Sequence, residues 1–398
     1  MAATTPGALA GIRVIDVTQV MAGPFCTMLL ADLGADVVKI EPPAGDMTRR
    51  MPGGVGTDTP AYNAVNRGKR SVVLDLKTAA GRAAVARLTQ SADLFIENSR
   101  PGVMAEFGLD HATLAAANPR LIYASISGYG QTGPHRSKGG LDLIAQGVSG
   151  IMSVTGEPGG PPMKSGIPLT DLGAALFAVT GILAALVHRT RTGQGQQVET
   201  SLVEAGVALS VWEATEFFAG AGVPEPLGSA HRMVAPYQAI QCADGYVTIG
   251  ASNDRLFERL CEVLGHPEWA RLPEFADNPS RVRNRVALAG RIEAVTRERP
   301  RRDWLEAFEA RDIPCGPINS YADVFADPQV VAREMVVDVD HPTLGRIQAL
   351  GSPMKLSATP AAVRRRAPRL GEHTEDVLRE AGFDDTEIRV LLSPSPMR

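Results

Sequence analysis

The chain is short of cysteine and of net charge, and each shortage removes a class of function. Its four cysteines, Cys26, Cys242, Cys261 and Cys315, stand far apart, with no CxxC pair and no Cys/His ligand spacing. Neither structural zinc nor a disulfide framework is expected, and a reducing, cytoplasmic location fits. A formal net charge of −4 offers no electrostatic grip on nucleic acid or on an anionic membrane. The histidines, His111, His135, His188, His231, His266, His341 and His373, have no ligand spacing either, so no metal site is expected. No GxSxG elbow supplies a serine nucleophile. Met1 through Gly7 carry neither a basic nor an apolar signal region, so secretion is not expected. The most apolar run, Leu172–Val187, falls short of the ~20 residues of a membrane span. Thr180 and Gly181 interrupt it, and it reads as a helix buried in protein.

What remains is an ordinary globular composition, 44% hydrophobic and 21% charged. At 398 residues the chain is long for one core, and two or three domains are expected. The first half alternates short β-rich runs with helices. Strands are expected at Ile12–Val17, Asp36–Glu41, Ser71–Leu76, Asp93–Glu97 and Leu121–Ser127, with helices at Pro24–Leu33 and Thr78–Leu88. That alternation predicts an α/β fold with a parallel, doubly wound, Rossmann-like sheet. A helix is expected over Glu199–Ala219, and the Gly/Pro-rich Gly220–Gly228 marks a boundary. Beyond it, Ala239–Gln241 and Tyr246–Gly250 read as a hairpin around a three-residue turn, followed by charged amphipathic helices near 254–264, 281–297 and 302–310. A strand at Gly345–Leu350 and an amphipathic tail at Thr374–Leu391 close the chain. The organisation read from this is a large domain over 1–222, a smaller α+β domain over 223–334, and a return segment over 335–398.

Two glycine-rich motifs fail on context. Gly128-Tyr129-Gly130-Gln131-Thr132-Gly133 matches GxGxxG after a strand, but Pro134 follows and no helix opens, so it reads as a tight loop near a ligand. Gly68-Lys69-Arg70-Ser71 lacks the upstream glycine of a phosphate loop and precedes a strand. The position that stands out is Asp171, in Pro168-Leu169-Thr170-Asp171 at the mouth of the apolar helix. Unpaired N–H groups at that helix end are expected to hold it ionised beside an anion-ready pocket, the alternative being a plain capping aspartate.

The order of motifs resembles one family. Val14-Ile15-Asp16, Ala22-Gly23-Pro24, Leu33-Gly34-Ala35-Asp36 running to Glu41, and Gly45-Asp46-Met47-Thr48-Arg49 are similar to the opening of the class III (CaiB/BaiF-type) CoA-transferases. Asn66-Arg67-Gly68-Lys69-Arg70-Ser71, Leu74-Asp75-Leu76-Lys77, Glu97-Asn98 ahead of Pro101-Gly102, Ser127-Gly128-Tyr129-Gly130, Gly193-Gln194-Gly195-Gln196 and Ala235-Pro236-Tyr237 follow in family order over nearly the whole chain. The resemblance implies that Asp171 attacks an acyl-CoA to give an aspartyl mixed anhydride and then an aspartyl-CoA thioester. It implies a succinyl-CoA-like donor, a small carboxylic acid acceptor, and no cofactor beyond the CoA thioester itself. It places Lys138 at a CoA phosphate, and Asn98, Leu76 and Val20 along the CoA path. It also implies a ring-shaped chain in an interlocked homodimer, with no nucleic-acid or membrane partner.

Departures within the family are informative. Met21 stands where formyl-CoA transferases have glutamine, and the stretch Gly228-Ser229-Ala230-His231-Arg232 is not the all-glycine loop of those enzymes. Gly228, His231, Arg232 and Met21 are therefore the substrate-loop candidates, with His231 and Arg232 able to pair with a substrate carboxylate or to serve only as surface residues. The family also includes α-methylacyl-CoA racemases, but their Gly-His-Asp segment reads Gly140-Leu141-Asp142 here, and leucine cannot move a proton. A racemase-type isomerase and a non-catalytic CoA-binding protein are the alternatives.

Overall fold

Runs rich in valine and isoleucine need apolar cover on both sides, and here six strands find it in a single parallel sheet. The computed structural model describes residues 5–56 and 58–392. β1 (Arg13–Asp16), β2 (Asp36–Glu41), β3 (Lys69–Val73), β4 (Leu94–Glu97), β5 (Ile122–Ser127) and β6 (Gln197–Ser201) lie in the order β3-β2-β1-β4-β5-β6. Successive side chains feed opposite layers. Val14 and its register partner Val37 pack with Ile96 and Ala124 against helices Ala22–Asp32 and Leu169–Thr192. Ile15, Val38, Phe95 and Tyr123 pack on the other face against Ala79–Gln90 and the tail helix Thr374–Glu380. The strand order reverses between β1 and β4, where a sheet of this kind opens a crevice at its carboxyl edge.

Several elements differ from the expectation. The stretch read as one helix over 199–219 begins instead with β6 and continues as two helices, Leu202–Leu209 and Val211–Phe218, parted at Ser210. Ser201 ends the strand and caps the first of them, its Oγ accepting from the Glu204 N–H at 3.2 Å. The apolar helix spans 24 residues, Leu169–Thr192. Its length and hydropathy would suffice to cross a membrane, but Gly173, Ala174, Ala178, Ile182 and Ala185 pack it into the core, while Leu176, Phe177 and Val187 remain exposed. It is thus buried along one face only. The tail read as one amphipathic stretch is two short helices, Thr374–Glu380 and Asp385–Leu392.

The chain divides into two compact units. The first takes the chain up to Ile151, Lys164–Ala219 and the chain from Pro328 onward; the second takes Met152–Met163 and Gly220–Asp327. The excursion Met152–Met163 holds the Gly/Pro-rich run Gly156–Pro162, which the sequence marks as a loop interrupting the α/β pattern but not as a change of unit. In the second unit β7 (Tyr237–Cys242) and β8 (Gly245–Gly250) pair antiparallel, and β9 (Cys315–Pro317) joins β8. Cys242 pairs with Gly245, so the turn is Ala243-Asp244, one residue shorter than expected. In the first unit β10 (Val336–His341) and β11 (Gly345–Leu350) form a hairpin of which only the second strand was expected.

Candidate active site

At the reversal between β1 and β4 lies a cavity of about 550 Å³, within the usual range for ligand sites. Its walls are the loop after β1 (Gln19–Ala22), the loop after β4 (Asn98–Pro101), the end of β5 (Ser127, Gly128), the segment Lys138–Asp142 and Asp171. Two glycines make the closure possible. A Cβ on Gly128 would stand 2.6 Å from the Gly140 Cα, and one on Gly140 2.3 Å from the Gly128 Cα. Backbone therefore touches backbone there, and Lys138, Leu141 and Asp142 are carried to the cavity wall. The GxGxxG stretch is thus a loop beside a cavity, with the next helix opening only at Asp142.

Asp171 is the third residue of the long helix and lies half-buried in the cavity wall. Burial, and after it the Asp142 carboxylate, push its carboxyl up to about 6. The helix end does not act as the sequence suggested. The Thr170 N–H donates to Asp142 Oδ1 at 3.0 Å, the Thr170 hydroxyl to the same oxygen at 2.7 Å, and Gln146 Nε2 to Asp142 Oδ2 at 2.7 Å. Asp142, reaching from another helix, satisfies the N-terminal donor, and its negative charge raises its neighbour. Asp171 is consequently more basic than an ordinary aspartate yet still ionised at neutral pH.

Of the other expected site residues, Lys138, Val20, Met21 and Asn98 line the same cavity. Asn98 is already engaged: its Oδ1 accepts from the Gln19 N–H and its Nδ2 donates to the Gln19 carbonyl, both at 2.8 Å. Its amide fastens the loop after β1 more than it reaches outward. Leu76 lies outside the lining, half-buried against the core layer of Ile15 and Phe95. Gly228, His231 and Arg232 belong to the second unit. There Gly228 donates to the Gly156 carbonyl at a φ of +61°, the His231 ring meets Tyr237 edge-on, and Arg232 donates to the Glu225 carbonyl. Lys69, of the rejected phosphate-loop motif, is fully buried, bonded to Asp16 and Asn66.

Two residues of the site were missed. Arg100 lines the cavity and lies against Gly139, giving the rim a second cation beside Lys138; its position ahead of Pro101-Gly102 was the available signal. Asp142 has a sequence signal too, its place in the Gly140-Leu141-Asp142 segment. Leu141 itself lines the cavity and is 71% exposed. Among the described residues no group of three or more His, Cys, Asp or Glu is placed to hold a metal ion.

The strand order and the crevice at its reversal define a doubly wound α/β protein. Residues 9–374 match the model of CoA-transferase family III. The chain belongs to that family and is an enzyme that transfers CoA. It is 42% identical, over 94% of its length and 95% of the relative's, to the succinate–glutarate CoA-transferase of Agrobacterium fabrum. It is 41% identical to the succinyl-CoA:mesaconate CoA-transferase of Haloarcula marismortui, covering 96% of this chain and 99% of that one. The crystal structure of a CaiB/BaiF family protein from Brucella suis superposes with a TM-score of 0.84 at 39% identity, over 94% of this chain and all of that one.

Proposed function

We propose that the enzyme moves CoA from succinyl-CoA to a second small dicarboxylate through covalent intermediates on Asp171. Relatives named for succinyl, glutarate and mesaconate exchange support the substrate class. The observation that carries the mechanism is a half-buried carboxylate in the cavity wall, raised to about 6. An ionised carboxylate is a nucleophile without help from a base. An Asp171 oxygen attacks the thioester carbonyl carbon, the C–S bond breaks, and CoA leaves as thiolate while the succinyl-aspartyl anhydride forms. The thiolate attacks the aspartyl carbonyl and displaces succinate, leaving the aspartyl-CoA thioester. The acceptor carboxylate then attacks that thioester, releasing the thiolate and forming a second anhydride. Thiolate attack on the acceptor's carbonyl yields the new acyl-CoA and regenerates Asp171. One thioester and one carboxylate are exchanged for another such pair, so no ATP, metal or organic cofactor enters. Lys138 and Arg100 are assigned to the CoA phosphates, as cations at the rim of the cavity.

The test is CoA exchange from succinyl-CoA into a panel of glutarate, mesaconate, oxalate and monocarboxylates. Transfer to a dicarboxylate is expected, and Asp171→Asn should lower it by roughly four orders of magnitude or more. Transfer confined to monocarboxylates, or a variant near normal turnover, contradicts the reading.

We further propose that two chains interlock as a homodimer in a reducing, cytoplasmic setting. All four cysteines are free. Leu176, Phe177 and Val187 of the long helix, with Val207, Trp212, Phe217 and Phe218 of the two helices that follow, leave an apolar surface uncovered in the single chain. The chain also leaves the first unit at Ala219 and returns at Pro328, as an interlocking path requires. Sedimentation at nanomolar concentration should show dimer only; a folded monomer rules the architecture out.

A further inference from the structure

The loop that follows β1 is held in an unfavourable conformation by buried charges that the transfer chemistry does not use. Among the described residues three non-glycine positions have positive φ, and Val20, at +70°, is the β-branched one. A branched Cβ is crowded in the left-handed region, so the conformation persists only where surroundings impose it. Two attachments impose it here. On one side Asn98 clamps Gln19 through both of its amide functions. On the other the Val20 N–H points to the Asp46 carboxylate, at 3.3 and 3.4 Å from its two oxygens. Asp46 is fixed in turn by Lys39, whose Nζ lies 2.9 Å from Asp46 Oδ2 and donates to the Thr18 carbonyl at 2.8 Å. Both side chains of the Lys39–Asp46 pair are entirely buried. Thr48 adds two bonds to Asp46 Oδ1, and Asp16 accepts from the Thr18 N–H and hydroxyl. The backbone from Thr18 to Val20 is thus tied at successive residues, and Gln19, Val20 and Met21 form one wall of the cavity.

We propose that the Lys39–Asp46 pair is a positioning device: it holds Val20 in its left-handed conformation and so sets the cavity wall against which CoA is bound. Removing two charges from water is costly, and a buried apolar pair would serve stability as well or better. What the ionic pair supplies is a fixed acceptor for the Val20 N–H and a fixed donor for the Thr18 carbonyl. The proposal rests on the cavity being the CoA site, as proposed above.

The test uses the full-length enzyme, with CoA as the probe and titration calorimetry as the readout. Asp46→Asn should weaken CoA binding roughly tenfold in the wild-type background, because the strained turn relaxes. In a Val20→Gly background, where left-handed φ carries little strain, the same Asp46→Asn change should weaken CoA about threefold or less relative to that background. Val20→Pro, which fixes φ near −65° and removes the N–H, leaves Lys39 and Asp46 intact and should also weaken CoA by roughly tenfold. A wild-type dissociation constant that Val20→Pro does not alter overturns the proposal. So does an equal Asp46→Asn effect in both backgrounds, the behaviour of a merely structural pair. Should wild-type enzyme fail to bind CoA at all, the assignment of the cavity fails instead.

Discussion

At the β1–β2–β3 end of the first unit six ionisable side chains, Asp16, Lys39, Glu41, Asp46, Arg49 and Lys69, are buried to 1% exposure or less. The core of the second unit is built from Trp304, Phe257, Phe275, Phe308, Ile249 and Leu260, and Arg281 is its one buried charged side chain among the described residues. Both interiors are closed to solvent, but their buried groups are stabilised in different ways. In the second unit apolar area is removed from water and the few polar groups are satisfied locally, as where Trp304 Nε1 donates to the Thr296 carbonyl at 2.8 Å. In the first unit charges are kept inside at a desolvation cost and matched in pairs: Arg49 with Glu41, Lys39 with Asp46, Lys69 with Asp16. Tyr62 closes over Arg49, its ring centroid 3.5 Å from the guanidinium carbon, and donates its hydroxyl to Glu41. Ion pairs fix direction where apolar packing fixes only volume. The unit that carries the cavity is the unit that uses them.

The sharpest way to break that contrast is to remove one large side chain from each interior. Arg49→Met leaves the buried Glu41 without its partner and should destabilise by about 3–5 kcal/mol at pH 7. Trp304→Ala should cost a similar ~3–5 kcal/mol through lost packing. Their pH dependence separates them. Burial raises Glu41, but the Arg49 hydrogen bond and the charges of Lys39 and Arg49 more than reverse it, so its carboxyl sits below the usual range. A depressed acid stabilises the fold above its unfolded pKa and loses that contribution as pH falls through its folded value. The Arg49→Met deficit should therefore shrink as the pH is lowered below about 4.5 and through the folded value of Glu41, while the Trp304→Ala deficit should not follow it. Urea midpoints at two pH values read this directly, and parallel deficits would remove the distinction between the two interiors.

A smaller effect is expected at the cavity. With Asp171 raised to about 6, the rate at low succinyl-CoA should fall as pH drops below that value, tending to about tenfold per pH unit. Asp142→Asn keeps an acceptor for the Thr170 N–H but removes the like charge, so the acid limb should move to lower pH. A limb that stays in place would mean that burial alone sets the nucleophile's basicity. The pH–rate profiles of wild type and variant decide between the two.

Much of the first unit was legible in the sequence because its strands are apolar runs of the right length: Asp36–Glu41 appears as read, and β1, β4 and β5 within a residue or two. β6 was not, since Gln197–Ser201 is polar and half exposed at the sheet edge, and the Leu/Ala-rich stretch after it drew the helix reading upstream. β10 was hidden in the same way, by aspartates alternating with valine, and β9 by being three residues long. Asp171 was visible because a carboxylate at the start of an apolar helix is anomalous. Its electrostatics were not, because the carboxylate that satisfies the helix end is Asp142, remote in sequence and brought there by the contact of Gly128 with Gly140. The two commitments of the Asn98 amide were likewise invisible, since they join residues 79 positions apart.

The central claim is that Asp171 becomes covalently acylated, and trapping tests it most directly. Wild-type enzyme given succinyl-CoA without an acceptor, then hydroxylamine, should carry a hydroxamate on the peptide containing Asp171, read by mass spectrometry. Asp171→Asn treated in the same way should carry none. A hydroxamate on any other residue, or an unmodified Asp171 in enzyme that is turning over, would contradict the account.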